Sequence, residues 1–490
     1  MLVGASLSAL FSTRLARAED TPPAPAPGEL RELPEPAASP KRSAPSPDLP
    51  PMPAGPSRDE ERAAEMVGER AAISPAEAAI KKRGVYLTGL PLANFDPNFG
   101  VGFGVRGNVF DNGPTTDPLF RYAPYKTRLS VTLFATTGGL QFHWVDFDAP
   151  FVRGSPYRFR AQALFEQNID RHYYGIGTRS LGALRYPGDS RSFRSLDDYQ
   201  ASQRTVAPNG TTASRYDRFF FRRPIAFFSV ERSLFGGRVR PLLGLAVSHA
   251  TLRDLAGDVV SATASSDAVS APTRLTEDCA AKAIVGCAGG FYDYVRIGIA
   301  YDTRDFEPDP MSGVFLDAEA NIGTKALGSA YTNAVLLTAA RGYFSPFPKL
   351  TKLVLAVRGV YQVASQGTPF YALNVLPFTE DPKTGLGGFR TIRGFSQDRF
   401  VGHVVALANA ELRWTFVSFD AARQHFGLMI APFVDFGRVF DRVADTSLAG
   451  FRRGQGAGLR IAWNQATIVM LDYGVSDEGS ALYVNFGHIF

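Results

Sequence analysis

The property that most constrains this chain is strict alternation. From Gly84 to Phe490 apolar and polar side chains follow a period of two, in segments of nine to sixteen residues. In 127–136, Leu129, Val131, Leu133 and Ala135 share one face, opposite Arg128, Ser130 and Thr132. In 157–167, Phe159, Ala161, Ala163 and Phe165 oppose Arg158, Arg160, Gln162 and Glu166. In 313–323 the apolar set is Val314, Leu316, Ala318, Ala320 and Ile322; in 351–363 it is Leu353, Leu355, Val357, Tyr361 and Val363. One face is apolar and the other carries ionised groups. Strands of soluble sandwiches average about five or six residues. Strands that cross a bilayer need about nine to eleven, with an apolar outside and a wet lumen. The expected fold is therefore all-β, an antiparallel transmembrane β-barrel. Forty-seven glycines, 38 phenylalanines and 18 tyrosines, against 2 cysteines and 6 methionines, agree with many strands and tight turns.

The alternating segments are 85–93, 99–109, 127–136, 139–148, 157–168, 218–231, 238–251, 291–302, 314–324, 331–345, 351–364, 403–418, 425–440, 454–463, 466–474 and 481–490, which makes sixteen. Connection lengths check the count, because a membrane barrel places short turns on the periplasmic side and long loops outside. The three longest connections, 169–217, 252–290 and 365–402, follow the fifth, seventh and eleventh segments. All are odd, so all emerge on one side. The barrel is expected to occupy 84–490.

Ahead of it, residues 1–18 resemble a signal peptide: a short apolar run followed by the small-x-small site Ala16-Arg17-Ala18. The alternative is a disordered apolar N-terminus. Thirteen prolines among the thirty-five residues 22–56 make 19–57 a disordered, semi-rigid linker. Residues 58–83 read as a short helical segment, with Ser74 as an N-cap before Pro75.

Net charge is +5, but both signs are mixed along the chain, so no nucleic-acid footprint is expected. Cys279 and Cys287 lie in one loop, and in an exported chain such a pair reads as a disulfide in preference to two thiols. Six scattered histidines supply no metal spacing, and neither a cofactor nor a metal is expected. Gly102-Phe103-Gly104-Val105-Arg106-Gly107 matches a dinucleotide fingerprint formally, but it lies in a strand with no helix after it. No nucleophile and base share a recognisable spacing, so the chain does not read as an enzyme.

The stretch Gly387-Gly388-Phe389-Arg390-Thr391-Ile392-Arg393-Gly394-Phe395, between the eleventh and twelfth segments, resembles the loop motif of the BamA/TamA-like barrels, the bacterial surface antigen superfamily. That resemblance implies sixteen strands and a sixth external loop that folds back into the lumen. The family also carries an acidic residue on the next strand and an Asp-x-Gly element on the one after, matched here by Glu411 and by Asp435 with Gly437. Asp302-Thr303-Arg304-Asp305 with Pro310 and Gly313 is a further family-like element at a periplasmic turn. The ending, with Leu482, Val484, Phe486 and Phe490 on one face, resembles the C-terminal signal that outer-membrane barrels present to their assembly machinery. Alternation alone places Glu411 and Asp435 on the lumen face. Arg393 is thus expected to lock the loop to Glu411, Asp435 or both, since an arginine fork suits carboxylates and Gly394 lets the backbone turn beside it. Phe395 completes the motif.

The resemblance implies a bacterial outer-membrane protein in contact with membrane lipid. Its first functional reading is assembly, insertion or translocation of a client protein or lipid. The roughly sixty-five residues between Ala18 and Gly84 are too few and too proline-rich for the family's periplasmic POTRA domains, so a separate periplasmic partner is expected to engage the linker. Gly89 and Pro91 weaken the first strand as a ladder partner and mark a seam between first and last strands. The alternative is a gated or passive pore, or a structural surface protein, without an insertion role.

Overall fold

The computed structural model of the protein describes Glu61, Met66 and residues 81–96, 100–263, 266–305, 309–380, 383–421, 424–463 and 467–490. The expectations for 1–18 and 19–57 lie outside the described residues. Of the segment 58–83, Glu61 and Met66, both helical, and 81–83 are described.

Sixteen long strands form one meander: β1 (Val85–Asp96), β2 (Gly100–Asp111), β3 (Thr127–Thr136), β4 (Leu140–Ala149), β5 (Tyr157–His172), β6 (Arg218–Arg232), β7 (Val239–Asp254), β8 (Tyr294–Asp302), β9 (Gly313–Gly323), β10 (Asn333–Phe344), β11 (Lys352–Ala364), β12 (Val404–Ala421), β13 (Gln424–Phe440), β14 (Arg452–Trp463), β15 (Thr467–Val475) and β16 (Ser480–Phe486). Each pairs antiparallel with the next. A seventeenth piece of the sheet, Gly290–Phe291, pairs with two residues of β7. Among the described residues β1 pairs only with β2 and β16 only with β15.

The sheet curls because its two faces want different surroundings. Leu243, Leu245 and Val247 on β7, Leu336 on β10 and Leu355 and Val357 on β11 are exposed outward, as a lipid-facing wall requires. Inward positions carry Arg296, Asp317, Glu319, Arg341, Arg358, Asn409 and Asp435, all buried. They are buried because the connection from β11 to β12 fills the lumen. Its main-chain carbonyls or side chains meet inward groups from Arg160 on β5, Arg296 on β8, Arg341 on β10, Arg358 on β11, Glu411 on β12 and Asp472 on β15. A segment that touches the inner face of all these strands is enclosed by a barrel.

The connections β5–β6 and β7–β8, expected as loops, contain secondary structure of their own. The first holds helix α1 (Leu196–Gln203), capped by Ser195. The second holds helix α2 (Arg274–Ala280), whose Thr273 and Thr276 form a capping box. A hairpin, Val259–Thr263 with Ser266–Ser270, takes Thr211–Thr212 of the first connection as a parallel third strand. Tyr173, Phe219, Phe221, Leu275, Phe370 and Tyr371 belong to one buried cluster that joins these loops to the lumenal one. Cys279, packed against it, is disulfide-bonded to Cys287, closing the turn after α2. The result is a packed cap over one end of the barrel.

The last residues depart from the alternating pattern. β16 stops at Phe486, Gly487 turns with φ +80°, and Ile489 and Phe490 are buried with Tyr343, Val354, Ala356 and Met470. Phe490 therefore does not share the outward face of Leu482 and Val484. Side-chain parity extrapolates only while the backbone stays extended, and the left-handed turn at Gly487 ends that.

Candidate functional site

Within the lumenal loop, Arg393 is fully buried. Its Nε donates to Asp435 Oδ2 at 2.8 Å and its Nη2 to Asp435 Oδ1 at 2.9 Å, the two-point geometry that a guanidinium forms with a carboxylate. The Arg393 main-chain N–H donates to the same Oδ2 at 3.1 Å. Nη1 donates to Glu411 Oε1 at 2.8 Å and to Asp472 Oδ2 at 2.5 Å. The Phe433 ring lies 3.3 Å from the guanidinium carbon. The structure thus brings Arg393 to both carboxylates named from the sequence, and adds a third from β15.

Glu411 is equally enclosed. Arg460 on β14 donates to Glu411 Oε1 at 2.7 Å and Oε2 at 3.0 Å, and Arg413 Nε donates to Oε2 at 2.9 Å. Arg460 Nη2 also reaches Asp472 Oδ2 at 3.4 Å. Three arginines face three carboxylates, which is what makes so much buried charge tolerable. Arg358 stands beside them and binds neutral acceptors: Asn409 Oδ1 at 2.8 and 2.9 Å, the Arg390 carbonyl at 2.7 Å and the Ile489 carbonyl at 3.1 Å. Asn409 in turn donates to Asp435 Oδ1 and the Thr391 carbonyl.

Main-chain room is as important as charge. Gly394 has φ +94°, and a Cβ there would lie 2.6 Å from the Val475 carbonyl carbon. Opposite it, a Cβ on Gly454 would fall 2.0 Å from the Arg393 oxygen, one on Gly474 2.8 Å from Arg393 Cβ, and one on Gly437 2.2 Å from Ile392 Cδ1. Glycines on three consecutive strands therefore form a cradle for Ile392, Arg393 and Gly394. Phe395 is buried with Ile392, Leu386, Phe400, Val405, Leu407 and Val439, its ring 5.1 Å from that of Phe400.

Deeper in the same loop, Glu380 receives Arg304 Nη2 at 2.8 Å and Arg341 Nη1 at 2.6 Å. Burial opposes its ionisation, but Arg304, Arg341 and Arg240 outweigh burial and hold its carboxyl well below the ordinary range. Arg304 also makes a two-point bond with Asp302. The Asp302–Asp305 turn is thereby tied to the loop, and Asp305 Oδ1 accepts from the Met311 and Ser312 main-chain N–H groups.

The C-terminal residues meet the cluster from its other side. Arg413 Nη2 donates to the Phe490 main-chain oxygen at 2.9 Å, and the Arg358 and Arg413 guanidinium carbons lie 4.8 and 5.1 Å from the Phe490 ring centre. His488 Nε2 lies 3.0 Å from Asp309 Oδ1, and Nδ1 contacts Arg460 Nη1. Gly89 and Pro91 are exposed on the outer face of β1, opposite Gly107 and Val105 of β2. Phe486 is the last residue of β16. Asp472, Arg460, Gly454 and Gly474 were not singled out from the sequence. Parity on 466–474 carries the signal for Asp472, since it shares the inward face of Ile468 and Met470.

No cluster of side chains with metal-ligand character occurs among the described residues. Nor is any helix among the described residues long and apolar enough to cross a membrane. No curated protein sequence matches the chain. Among solved structures, BamA from Haemophilus ducreyi lacking POTRA domains 1–3 is similar over 83% of this chain and 70% of its own, with 13% identity and a TM-score of 0.45. CdiB from Escherichia coli is similar over 83% and 62%, with 9% identity and a TM-score of 0.47. CdiB from Acinetobacter baumannii is similar over 83% and 60%, with 12% identity and a TM-score of 0.41. Residues 64–126 match a domain of unknown function, DUF5982. Residues 243–490, just over half of the chain and the part that holds the whole Arg393 cluster, match the Omp85 superfamily domain. The chain belongs to the Omp85 superfamily and is an outer-membrane β-barrel protein of bacteria.

Proposed function

We propose that this barrel assists the insertion or translocation of a client protein or lipid at the outer membrane, through an opening between β1 and β16 and not through the lumen. The observation that carries the reading is the pairing pattern: β1 pairs only with β2 and β16 only with β15 among the described residues. A ladder edge left unpaired is a template for another strand and the weakest line in a sheet. Pro91 cannot donate to a ladder, and Gly89 adds no side-chain packing. The axial route is filled by the β11–β12 loop, whose Arg393 ties it to β12, β13 and β15. In this reading the Arg393 cluster is a lock that holds the wall near the seam in register, and a periplasmic partner engages the segment before β1.

The test is depletion followed by outer-membrane proteome and lipid analysis, with complementation by a variant carrying one added cysteine in Val85–Asp96 and one in Ser480–Phe486. Depletion is expected to lower other outer-membrane proteins or outer-leaflet lipid. The reduced variant restores them and the cross-linked variant does not. Full restoration by the cross-linked form rules the seam out. If the outer-membrane profile is unchanged by depletion, and deleting 386–399 raises bilayer conductance, the chain is a plugged pore.

A further inference from the structure

The turn between β15 and β16 contains Ser476, Asp477, Glu478 and Gly479. Turn carboxylates on a barrel rim are ordinarily solvated. Glu478 is 7% exposed and its partner Arg399 1%. Arg399 Nε donates to Glu478 Oε2 at 2.7 Å and Nη2 to Oε1 at 2.8 Å. The other donors of Arg399 reach the β5–β6 connection: Nη1 to the Ser180 carbonyl at 2.5 Å and Nη2 to the Gly182 carbonyl at 3.4 Å. Its guanidinium carbon lies 4.8 Å from the Tyr174 ring centre and 4.9 Å from that of Phe400. The main chain of Glu478 is bound as well, since its carbonyl accepts from the N–H of Leu196, the first residue of α1, at 2.9 Å. Two residues away, Ser476 Oγ donates to the Gly394 carbonyl at 2.9 Å, and Tyr483 of β16 accepts from the Gly394 N–H at 3.0 Å.

Among the described residues the final hairpin, like the β1–β2 pair at the other edge, has a ladder on one flank alone, the one to β14, and its turn is held by side chains. A two-stranded hairpin alone is marginally stable. Two tethers reach the cap: the partly exposed Arg452 binds Asp477 and the Leu181 carbonyl, whereas the buried Arg399 binds both Glu478 and the β5–β6 connection, and Glu478 in turn binds α1. We propose that Arg399 and Glu478 form an extracellular clasp that couples the β15–β16 hairpin to the cap, so that displacement of α1 releases the hairpin and displacement of the hairpin releases α1. The clasp gives the cap control over the seam strand. That functional meaning rests on the seam reading above, but the coupling itself does not.

Hydrogen exchange of the full chain in detergent or bilayers tests it. Glu478→Gln keeps the shape and removes the charge from a desolvated pair, leaving Arg399 short of a partner. Amides of the hairpin turn and of α1, nearly three hundred residues apart in sequence, are expected to exchange on the order of 10- to 100-fold faster together, while β9–β10 stays unchanged. Leu196→Pro is the second variant. It deletes the N–H that binds the Glu478 carbonyl, at a first helical position where proline is tolerated and after a Ser195 that is already extended; Leu196→Ala, which loses the same packing against Tyr174, Leu184 and Tyr199 but keeps the N–H, is its control. Leu196→Pro is expected to speed exchange in the hairpin turn, where no residue has been changed. Reversal, Arg399→Glu with Glu478→Arg, distinguishes local staple from specific clasp, because the swapped pair cannot reproduce the bonds to the Ser180 and Gly182 carbonyls: exchange at 180–182 stays fast even where the turn recovers. If Glu478→Gln speeds exchange in the turn alone and Leu196→Pro leaves the turn unaffected, the clasp does not couple the two, whatever the seam cross-link shows.

Discussion

Arg393 and Asp435 are joined at three points, two from the guanidinium fork and one from the arginine's own main-chain N–H. The third bond fixes the loop backbone as well as the side chain, so the pair sets the depth of the loop in the lumen and not merely its charge. Arg393→Ala leaves Glu411, Asp435 and Asp472 buried with one cation fewer. The expected loss is about 3–5 kcal/mol, read as a lower temperature for losing the compact, heat-modifiable band on a semi-native gel. Arg393→Lys recovers only part of it, because an ammonium cannot span both oxygens of Asp435 and Glu411 as well. Wild-type migration in both variants would remove the lock.

Space around the loop makes a prediction without touching any charge. A Cβ on Gly454 would sit 2.0 Å from the Arg393 oxygen, a main-chain atom that cannot swing away. Gly454→Ala is therefore expected to lift the loop, at a cost of about 1–3 kcal/mol, and to raise bilayer conductance. Gly359→Ala is the control, since a Cβ there meets nothing within 4 Å. Equal conductance in the two variants would show that the cradle is not what seats the loop.

Asp472 supplies a graded test. It accepts from Arg393 at 2.5 Å and from Arg460 at 3.4 Å, whereas Asp435 holds Arg393 by three bonds and accepts from Asn409 too. Asp472→Asn is expected to cost less than Asp435→Asn, in the order of 1–3 against 3–5 kcal/mol. Arg393→Lys should cost less in the Asp472→Asn background than in wild type. Strict additivity in that cycle would show that the two residues do not interact.

Much of this was readable from alternation. Parity alone put Glu411 and Asp435 inside, because the twelfth and thirteenth strands stay extended through those positions and a one-residue slip would have turned Leu412 and Phe436 into the lumen. The Arg393 motif and the strand ordinal gave the loop its place. What parity did not supply was which inward residues meet across the lumen. Asp472 and Arg460 come within reach of Arg393 only because the loop folds back against the curled wall of β12 to β15, which brings together residues far apart in sequence. The helices in the cap were hidden for a different reason. Both are short, and α1 carries Asp197, Asp198 and polar neighbours without an apolar stripe. Phe490 was misplaced because a positive φ at Gly487 turns the chain after β16.

The inward tail leads to a pH dependence. His488 Nδ1 contacts Arg460 Nη1, which only donates, so Nδ1 must accept; Nε2 then carries the proton and donates to Asp309 Oδ1 at 3.0 Å. Burial first, and Arg413 and Arg460 with it, lower the His488 pKa to about 4, against the partial opposition of Asp309, which also holds Lys352 at 2.5 Å. The folded protein thus prefers the neutral ring and the unfolded chain takes up a proton near the ordinary value of about 6.5. The stabilisation is complete above that value, is lost as pH falls from about 6.5 to 4, and changes no further below the folded pKa. The loss is on the order of 3 kcal/mol, at about 1.4 kcal/mol per unit. His488→Gln keeps a donor toward Asp309 and an acceptor toward Arg460 but does not titrate, so its stability should vary less than that of the wild type between pH 7 and 4. Denaturant unfolding of both proteins across that range checks the difference. Parallel pH profiles would place His488 outside the network that holds the end of β16 in the lumen.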